Sequence, residues 1–260
     1  PKSELERKGY MFLKIENLVS DEQIKVVSLN RADVKNAFHP EMIQEVTVAF
    51  QKFNLEPKLK AVILKGEGTV FCSGADLNWM KEMVKYSFEQ NVEDSEKLWQ
   101  MFEAIAFCSV PVVGVIHGAV YGGALGLAAA CDYVLAEAQT KFCFSEVKVG
   151  LAPAVISSFI LRKTSDSHVR ALMLSAEVFN SEKAQKIGLV HSEFAGNADL
   201  VSIAKVFSGN GLEAMKETKK LLNEIQAADW AKQKKLTTKV ISERRMSLEG
   251  QTRLNKFLEK

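Results

Sequence analysis

The segment Val112–Asp132, VVGVIHGAVYGGALGLAAACD, settles which kind of fold the chain adopts. Its first part, Val112–His117, is a short apolar run of the type that forms a strand buried on both faces. Gly118 ends it. Gly122 and Gly123 make a second break, and from Gly123 to Ala130 the residues are small and apolar, which reads as the start of a buried helix. The longer stretch Ala104–Cys131 holds no Asp, Glu, Lys or Arg and is long enough to cross a bilayer. Pro111, His117 and five glycines interrupt it, so it reads as strand, turn and helix in a soluble core, with no membrane partner.

A similar unit lies upstream. Ala61–Lys65 is a buried-strand run, Gly66–Gly68 a turn, and Phe71-Cys72-Ser73-Gly74-Ala75-Asp76-Leu77 opens a helix near Leu77 that carries on into a charged segment. A helix start leaves backbone N–H groups without partners, and its dipole favours negative charge there. Glycine lets a ligand approach the backbone closely. Two such turns side by side would aim two amides at one oxygen, the arrangement that stabilises an oxyanion. Taken singly, each is as readily a plain structural turn. Neither is a phosphate loop, because no GxxxxGK[ST] occurs and no GxGxxG opens a helix.

Outward from these units the first half alternates strands and helices. Met11–Glu16 and Ile24–Leu29 read as paired strands, Pro40–Leu55 and Ser95–Ala106 as amphipathic helices, Tyr133–Ala136 and Lys141–Ser145 as further strands. After about Ala154 the pattern is helical, and Asp229–Lys260 reads as helix throughout. His191 falls in a Gly-Leu-Val-His run of strand type. Strands interleaved with helices, then helices alone, give an α/β core with a helical C-terminal part. We place the boundary so that residues 1–195 form the core and 196–260 the helical region.

Bulk composition narrows the function classes. With 260 residues, 47% hydrophobic and 25% charged, the chain has the make-up of an ordinary globular protein. A net charge of +2 advertises neither nucleic acid nor membrane. Cys72, Cys108, Cys131 and Cys143 form no CxxC pair, which points to buried free thiols in a reducing compartment and to no metal site. The N-terminus lacks the apolar stretch of a signal peptide, and a cytoplasmic location is expected.

Six segments together resemble the crotonase (enoyl-CoA hydratase/isomerase) superfamily: Leu29–Phe38 (LNRADVKNAF), Phe71–Leu77, Gly118–Asp132, Phe142–Leu151 (FCFSEVKVGL), Ala176–Val190 (AEVFNSEKAQKIGLV) and Phe257–Lys260 (FLEK). They cover nearly the whole chain in the family's order. Within it, GADLNWM and FSEVKVGLAPAVIS are most similar to bacterial methylglutaconyl-CoA and carboxygeranoyl-CoA hydratases. The resemblance implies a spiral of ββα units carrying a helical C-terminal region. It implies an acyl-CoA thioester as substrate, with coenzyme A as part of it and no covalently bound cofactor, and a homotrimer or dimer of trimers. It implies that the amides of Ala75 and Gly123 form an oxyanion hole and that Glu146 transfers protons. Val34, Lys35 and Ala37 would line the CoA path, with Ser73, Asp76 and Leu77 beside it. Tyr121, Gly122 and Gly126 would border the acyl group, and Phe257 and Lys260 would cover the adenine from the C-terminal region.

Glu146 follows the apolar run Phe142-Cys143-Phe144. A carboxylate in an apolar pocket has its pKa raised towards working pH, which suits acid–base work; the other reading is that it ends a strand and faces solvent. Hydratases of the two-glutamate kind carry a second carboxylate three residues after the oxyanion glycine, and that place is Gly126 here. The departure opens isomerase or decarboxylase chemistry beside hydration, and a non-catalytic acyl-CoA binder as well. A Gly126→Glu change would then be expected to raise hydration if the site has room. Between Lys216 and Arg245, seven Lys and two Arg face three Glu and one Asp. An RNA-binding surface is the rival reading of that run, and a solvated helical face the plainer one.

Overall fold

A computed structural model describes residues 9–259. Most of the charged N-terminal tail, and Lys260 with its expected place over the adenine, lie outside the described residues. The main sheet is built from β1 (Leu13–Leu18), β2 (Asp21–Leu29), β3 (Ala61–Gly66), β4 (Val112–Ile116), β6 (Tyr133–Glu137) and β9 (Ser192–Phe194), in the order β1-β2-β3-β4-β6-β9. Only β1 and β2 pair antiparallel; every later pairing is parallel. β3 and β4 are the apolar runs of the sequence, and they occupy the centre, covered on both faces as a parallel sheet requires. On one side lie α1 (Pro40–Phe53), α3 (Phe88–Ala106), α4 (Ala124–Ala130) and α5 (Ala154–Ile160) over the principal core. On the other, α8 (Leu200–Ser208) covers a smaller core that includes Ile24, Ile63 and Val113.

A second, three-stranded sheet positions the chemistry. β5 (Ala119–Tyr121) pairs parallel with β7 (Lys141–Cys143), which pairs antiparallel with β8 (Phe179–Asn180). Gly118 carries the chain from β4 into β5 at φ +66°, a left-handed conformation that L side chains rarely adopt. The layered turns of strand and helix, with helices at the C-terminal end, are the crotonase fold expected from the sequence.

The helix expected to run on from Leu77 is two helices. α2 (Leu77–Met83) stops, and α3 restarts at Phe88 behind Ser87. Ser87 and Gln90 form a reciprocal capping box, which satisfies orphan amides and so favours a fresh start there. Residues 188–190 are a turn and not the strand read from them; β9 begins beyond His191, whose Nδ1 accepts the Val134 N–H at 2.9 Å. All four cysteines are buried and unpaired, and burial pushes the Cys72 and Cys131 thiols up to about 12.

The C-terminal helices are α9 (Leu212–Ile225), α10 (Trp230–Met246) and α11 (Leu248–Leu258). α9 is tied to the core through Lys219, whose Nζ donates to Asp132 Oδ2 at 2.6 Å and Val110 O at 3.0 Å. Glu249 on α11 reaches back to cap α9, accepting from the amides of Glu213 and Ala214. Neither α10 nor α11 has a buried residue. Among the described residues no helix is long and apolar enough to cross a membrane.

The loop before α1 is organised by one side chain. Asn36 is fully buried at φ +54°. It accepts the Arg31 N–H at 2.9 Å and donates to Glu67 O at 2.7 Å and Val70 O at 3.0 Å. Asparagine is among the few side chains that tolerate this backbone region. Asn36→Ala leaves three buried backbone groups short of a partner, at about 1–3 kcal/mol for an unmade bond. We expect it to lower unfolding stability by roughly 2–4 kcal/mol, measured as the shift in urea midpoint at constant m-value.

Candidate active site

Three chain segments meet where β5 ends. The first is Cys72–Asp76. Phe38 and Ala75 form an isolated parallel bridge, in which the Phe38 N–H donates to Gly74 O at 2.9 Å and the Asp76 N–H to Phe38 O at 2.9 Å. Successive amides of an extended segment face opposite ways. The amides flanking Ala75 are therefore spent on Phe38 or on Cys72 Sγ, and the N–H of Ala75 faces away from Phe38. There it meets the second segment, Tyr121–Gly123. The bridge Cys72–Val120 holds the two together. A Cβ on Gly74, at φ +94°, would lie 2.6 Å from Tyr121 O and 3.9 Å from Gly123 N, so only glycine permits this approach. Among the described residues the amides of Ala75 and Gly123 donate to no protein acceptor.

The third segment is Cys143–Glu146. The Gly122 N–H donates to Cys143 O at 2.9 Å, tying the glycine turn to the end of β7. Glu146 begins a 3-10 turn, Glu146–Val149, and its Oε1 lies 3.7 Å from the position a Cβ would take on Gly122. The carboxylate thus sits one residue from the Gly123 amide. Oε2 is buried with no hydrogen-bond partner. Burial raises the pKa of Glu146, opposed only by its own backbone N–H. The carboxylate faces the interior of the site and not bulk solvent. Positions 75, 123 and 146, distant in sequence, are brought together.

The other expected residues sort by position. Val34 and Lys35 lie on the loop that leads into the site, with Val34 37% exposed and the Lys35 carbonyl accepting the Ser73 N–H at 3.0 Å. Tyr121 is half-buried on β5 and Leu77 stands exposed at the start of α2. The Ala37 side chain is buried, and its carbonyl accepts from Arg31 Nη1. Asp76, expected beside the CoA path, stands at the start of α2 with both oxygens engaged. Its Oδ1 caps α2 by accepting the Asn78 amide, and its Oδ2 pairs with Arg31 at 3.0 Å. Although burial alone would raise its pKa, those amides and the guanidinium hold the carboxyl below its ordinary value. Its oxygens are committed to holding the Ala75 turn. Phe257 is 72% exposed on α11.

Gly126 is a correction. It was expected to border the acyl group and to leave room for a larger side chain. It lies inside α4, and a Cβ there would fall 2.6 Å from Phe102 Cζ and 2.7 Å from Ile156 Cγ2. Phe102 on α3 and Ile156 on α5 occupy the space into which a side chain at 126 would point. The residues that sequence reading missed are these two, together with Arg31, Asn36 and Phe38. The Phe38 ring Cζ would lie 2.7 Å from a Cβ on Gly123 and packs 6.1 Å from the buried Trp79 ring. Arg31, Asn36 and Phe38 lie inside the family-like segment Leu29–Phe38, which was the one available signal.

Two amides with no protein acceptor thus lie near a carboxyl group whose pKa burial raises. The chain belongs to the enoyl-CoA hydratase/isomerase family, whose profile matches residues 20–260. It is 36% identical over 166 residues to the enoyl-CoA hydratase AFT6-1 of Alternaria alternata, a match covering 64% of this chain and 54% of that protein, so the chain spans about half the length of that relative. It is 28% identical over 202 residues to a putative enoyl-CoA hydratase of Thermus thermophilus, covering 76% of this chain and 80% of the other. The fold is similar to that of an enoyl-CoA hydratase from Shewanella pealeana, with a TM-score of 0.89, 32% identity and coverage of 97% and 95% of the two chains.

The packing at Gly126 is open to test. Gly126→Ala forces Phe102 or Ile156 to shift, and overpacking of this kind costs roughly 1–3 kcal/mol. Phe102→Leu in the same chain should recover part of the loss, giving a favourable coupling of about 0.5 kcal/mol or more in a double-mutant cycle of unfolding free energies. Additive effects would mean that the ring does not fill this space.

Proposed function

We propose that the chain adds water across the double bond of an α,β-unsaturated acyl-CoA thioester, with Glu146 as the single acid–base group. The observation that carries this reading is the partly buried Glu146 carboxyl, its Oε2 without a partner, beside the free amides of Ala75 and Gly123. The thioester carbonyl accepts from both amides. Ionised Glu146 takes a proton from water as the oxygen bonds to C3, and the C2–C3 π electrons move to give an enolate whose oxygen the two amides hold. Neutral Glu146 then returns the proton to C2. Atoms and charge balance with one carboxyl group. Each oxyanion donor is worth roughly 3–4 kcal/mol of barrier in comparable sites.

Double-bond isomerisation is the second reading, favoured by the packing of Phe102 and Ile156 against Gly126. With that space filled there is no second carboxylate from α4 to orient a water. The same Glu146 would then take a proton from C2 of a 3-enoyl thioester and deliver it to C4. The sequence motifs favour 3-methylglutaconyl-CoA as a hydratase substrate. The exposed loop at Val34 and Lys35 leads into the site and suits the CoA chain. The unburied helices α10 and α11, with exposed Phe257, suit subunit assembly and cover of the adenine in a trimer or dimer of trimers.

The test is a panel of crotonyl-CoA, 3-methylglutaconyl-CoA and a 3-enoyl-CoA. Loss of enoyl absorbance with formation of the 3-hydroxy thioester supports hydration; conversion of the 3-enoyl to the 2-enoyl thioester without hydroxy product supports isomerisation. Glu146→Gln is expected to lower kcat by about 100-fold or more while CoA thioester binding stays near wild type. If turnover persists, Glu146 is not the proton carrier.

Burial also makes Glu146 a stability liability. The folded chain favours the neutral form, so a proton is bound more tightly folded than unfolded. Its contribution is fully present below the ordinary carboxylate pKa and is lost as pH rises through the higher folded value. The glutamine variant is expected to melt above wild type at neutral pH, with the gap closing near pH ~4, as followed by thermal unfolding across pH. Wild-type kcat/KM should rise with pH through a value above that of an ordinary glutamate.

A further inference from the structure

A cavity of about 700 Å³ lies between α9 and the core, at the opposite end of α4 from the Gly123 amide. That volume falls within the range of small-molecule pockets. Its charged lining is Asp132, Arg162, Lys163 and Lys219, three cations against one carboxylate. The carboxylate is already used: Asp132 Oδ2 pairs with Lys219 and also accepts the Val112 N–H at 2.7 Å. Lys219 itself is 7% exposed and satisfied. Arg162 and Lys163 have no carboxylate partner among the described residues. Arg162 is held by the neutral side chains of Asn223 and Gln226 on α9. Lys163 has only the Asp132 carbonyl, at 3.4 Å. Burial lowers the Lys163 pKa, and its neighbours Arg162 and Lys219 add to that effect.

Burying a cation without an anion is unfavourable, and two partly buried cations with no carboxylate partner stand side by side here at the wall of an open cavity. The lining also has an apolar part, with Ala129, Phe207 and Met215 inside and Leu222, 58% exposed, at the rim, beside the neutral polar side chains of Asn210, Thr218, Asn223 and Gln226. From this we infer that the cavity is a second ligand site, separate from the acyl-thioester centre, that takes a small organic carboxylate with an aliphatic body. The carboxylate accepts from Lys163 Nζ and the Arg162 guanidinium, and the aliphatic part lies against α9. Proton transfer plays no part in the binding, and the site needs no residue of the catalytic group.

Isothermal titration of the full chain with sodium octanoate, and separately with inorganic phosphate, tests this. One octanoate per chain is expected, with phosphate binding more weakly because it leaves the apolar wall uncovered. Lys163→Met should weaken octanoate about tenfold or more, the worth of one charge-assisted contact, while Lys163→Arg should bind within a few-fold of wild type. Lys163→Met removes a charge that burial disfavours, so its unfolding midpoint should not fall, and crotonyl-CoA kinetics should be unchanged. Octanoate bound in the acyl pocket would be insensitive to residue 163. Equal affinity in wild type and Lys163→Met, phosphate binding as tightly as octanoate, or no binding heat at millimolar ligand would each overturn the assignment.

Discussion

The site depends on the hydrogen bond from the Gly122 amide to the Cys143 carbonyl, 2.9 Å long. It is one backbone bond, but it joins the two polypeptide turns that must act together. One carries the Gly123 amide and the other the Glu146 carboxyl. β5 and β7 are only three residues each, so their register leaves no slack: a slip by one residue would turn each side chain to the opposite face. The Cys72–Val120 bridge adds the third turn to the same small sheet. The relative placement of these three turns is therefore a property of backbone pairing, and the side chains around it act mainly to keep that pairing dry. Arg31 and Asn36 extend the logic one layer out, fixing the loop whose Phe38 carbonyl and amide hold the Ala75 strand.

A rigid frame of this sort explains how Glu146 tolerates its position. Its Oε2 has no partner, and a buried unpaired carboxylate is unfavourable. The chain does not neutralise it with a nearby lysine or arginine, which would lower the pKa and remove the basicity that proton abstraction needs. The strain is carried by the sheet and by the packed core behind it. Phe102 and Ile156 belong to that support. They close the space beside Gly126 with apolar atoms.

The strand–turn–helix units were legible because their signals are local. An apolar run, a glycine and a helix start lie close together in sequence at 61–77 and at 112–126, and β3, β4, α2 and α4 follow from them. Glu146 was legible as a candidate from its apolar neighbours and family motif, but its burial was not, since that depends on β5 pairing with β7. Gly126 shows the limit most clearly. In the sequence it reads as missing bulk, hence room. The room is taken by residues 24 positions upstream and 30 downstream, and nothing within the helix reports them. Asp132 is similar: it follows α4 directly, whereas its partner Lys219 lies 87 residues away. The break between α2 and α3 was readable in principle, because Ser87 and Gln90 stand at capping-box spacing.

α4 links the catalytic turn to the cavity under α9. It has seven residues, about 10 Å of rise, and every one of them is buried. Its N-terminal end presents the Gly123 amide; its C-terminal end runs into Asp132, locked between Lys219 and the Val112 amide. A helix so short and so enclosed has no alternative packing to adopt, so a ligand in the cavity cannot readily displace the oxyanion amide through it. The opposite wall is different. α9 is fastened to the core by the buried Lys219, between Asp132 and the Val110 carbonyl, and by Arg162 through the neutral side chains of Asn223 and Gln226.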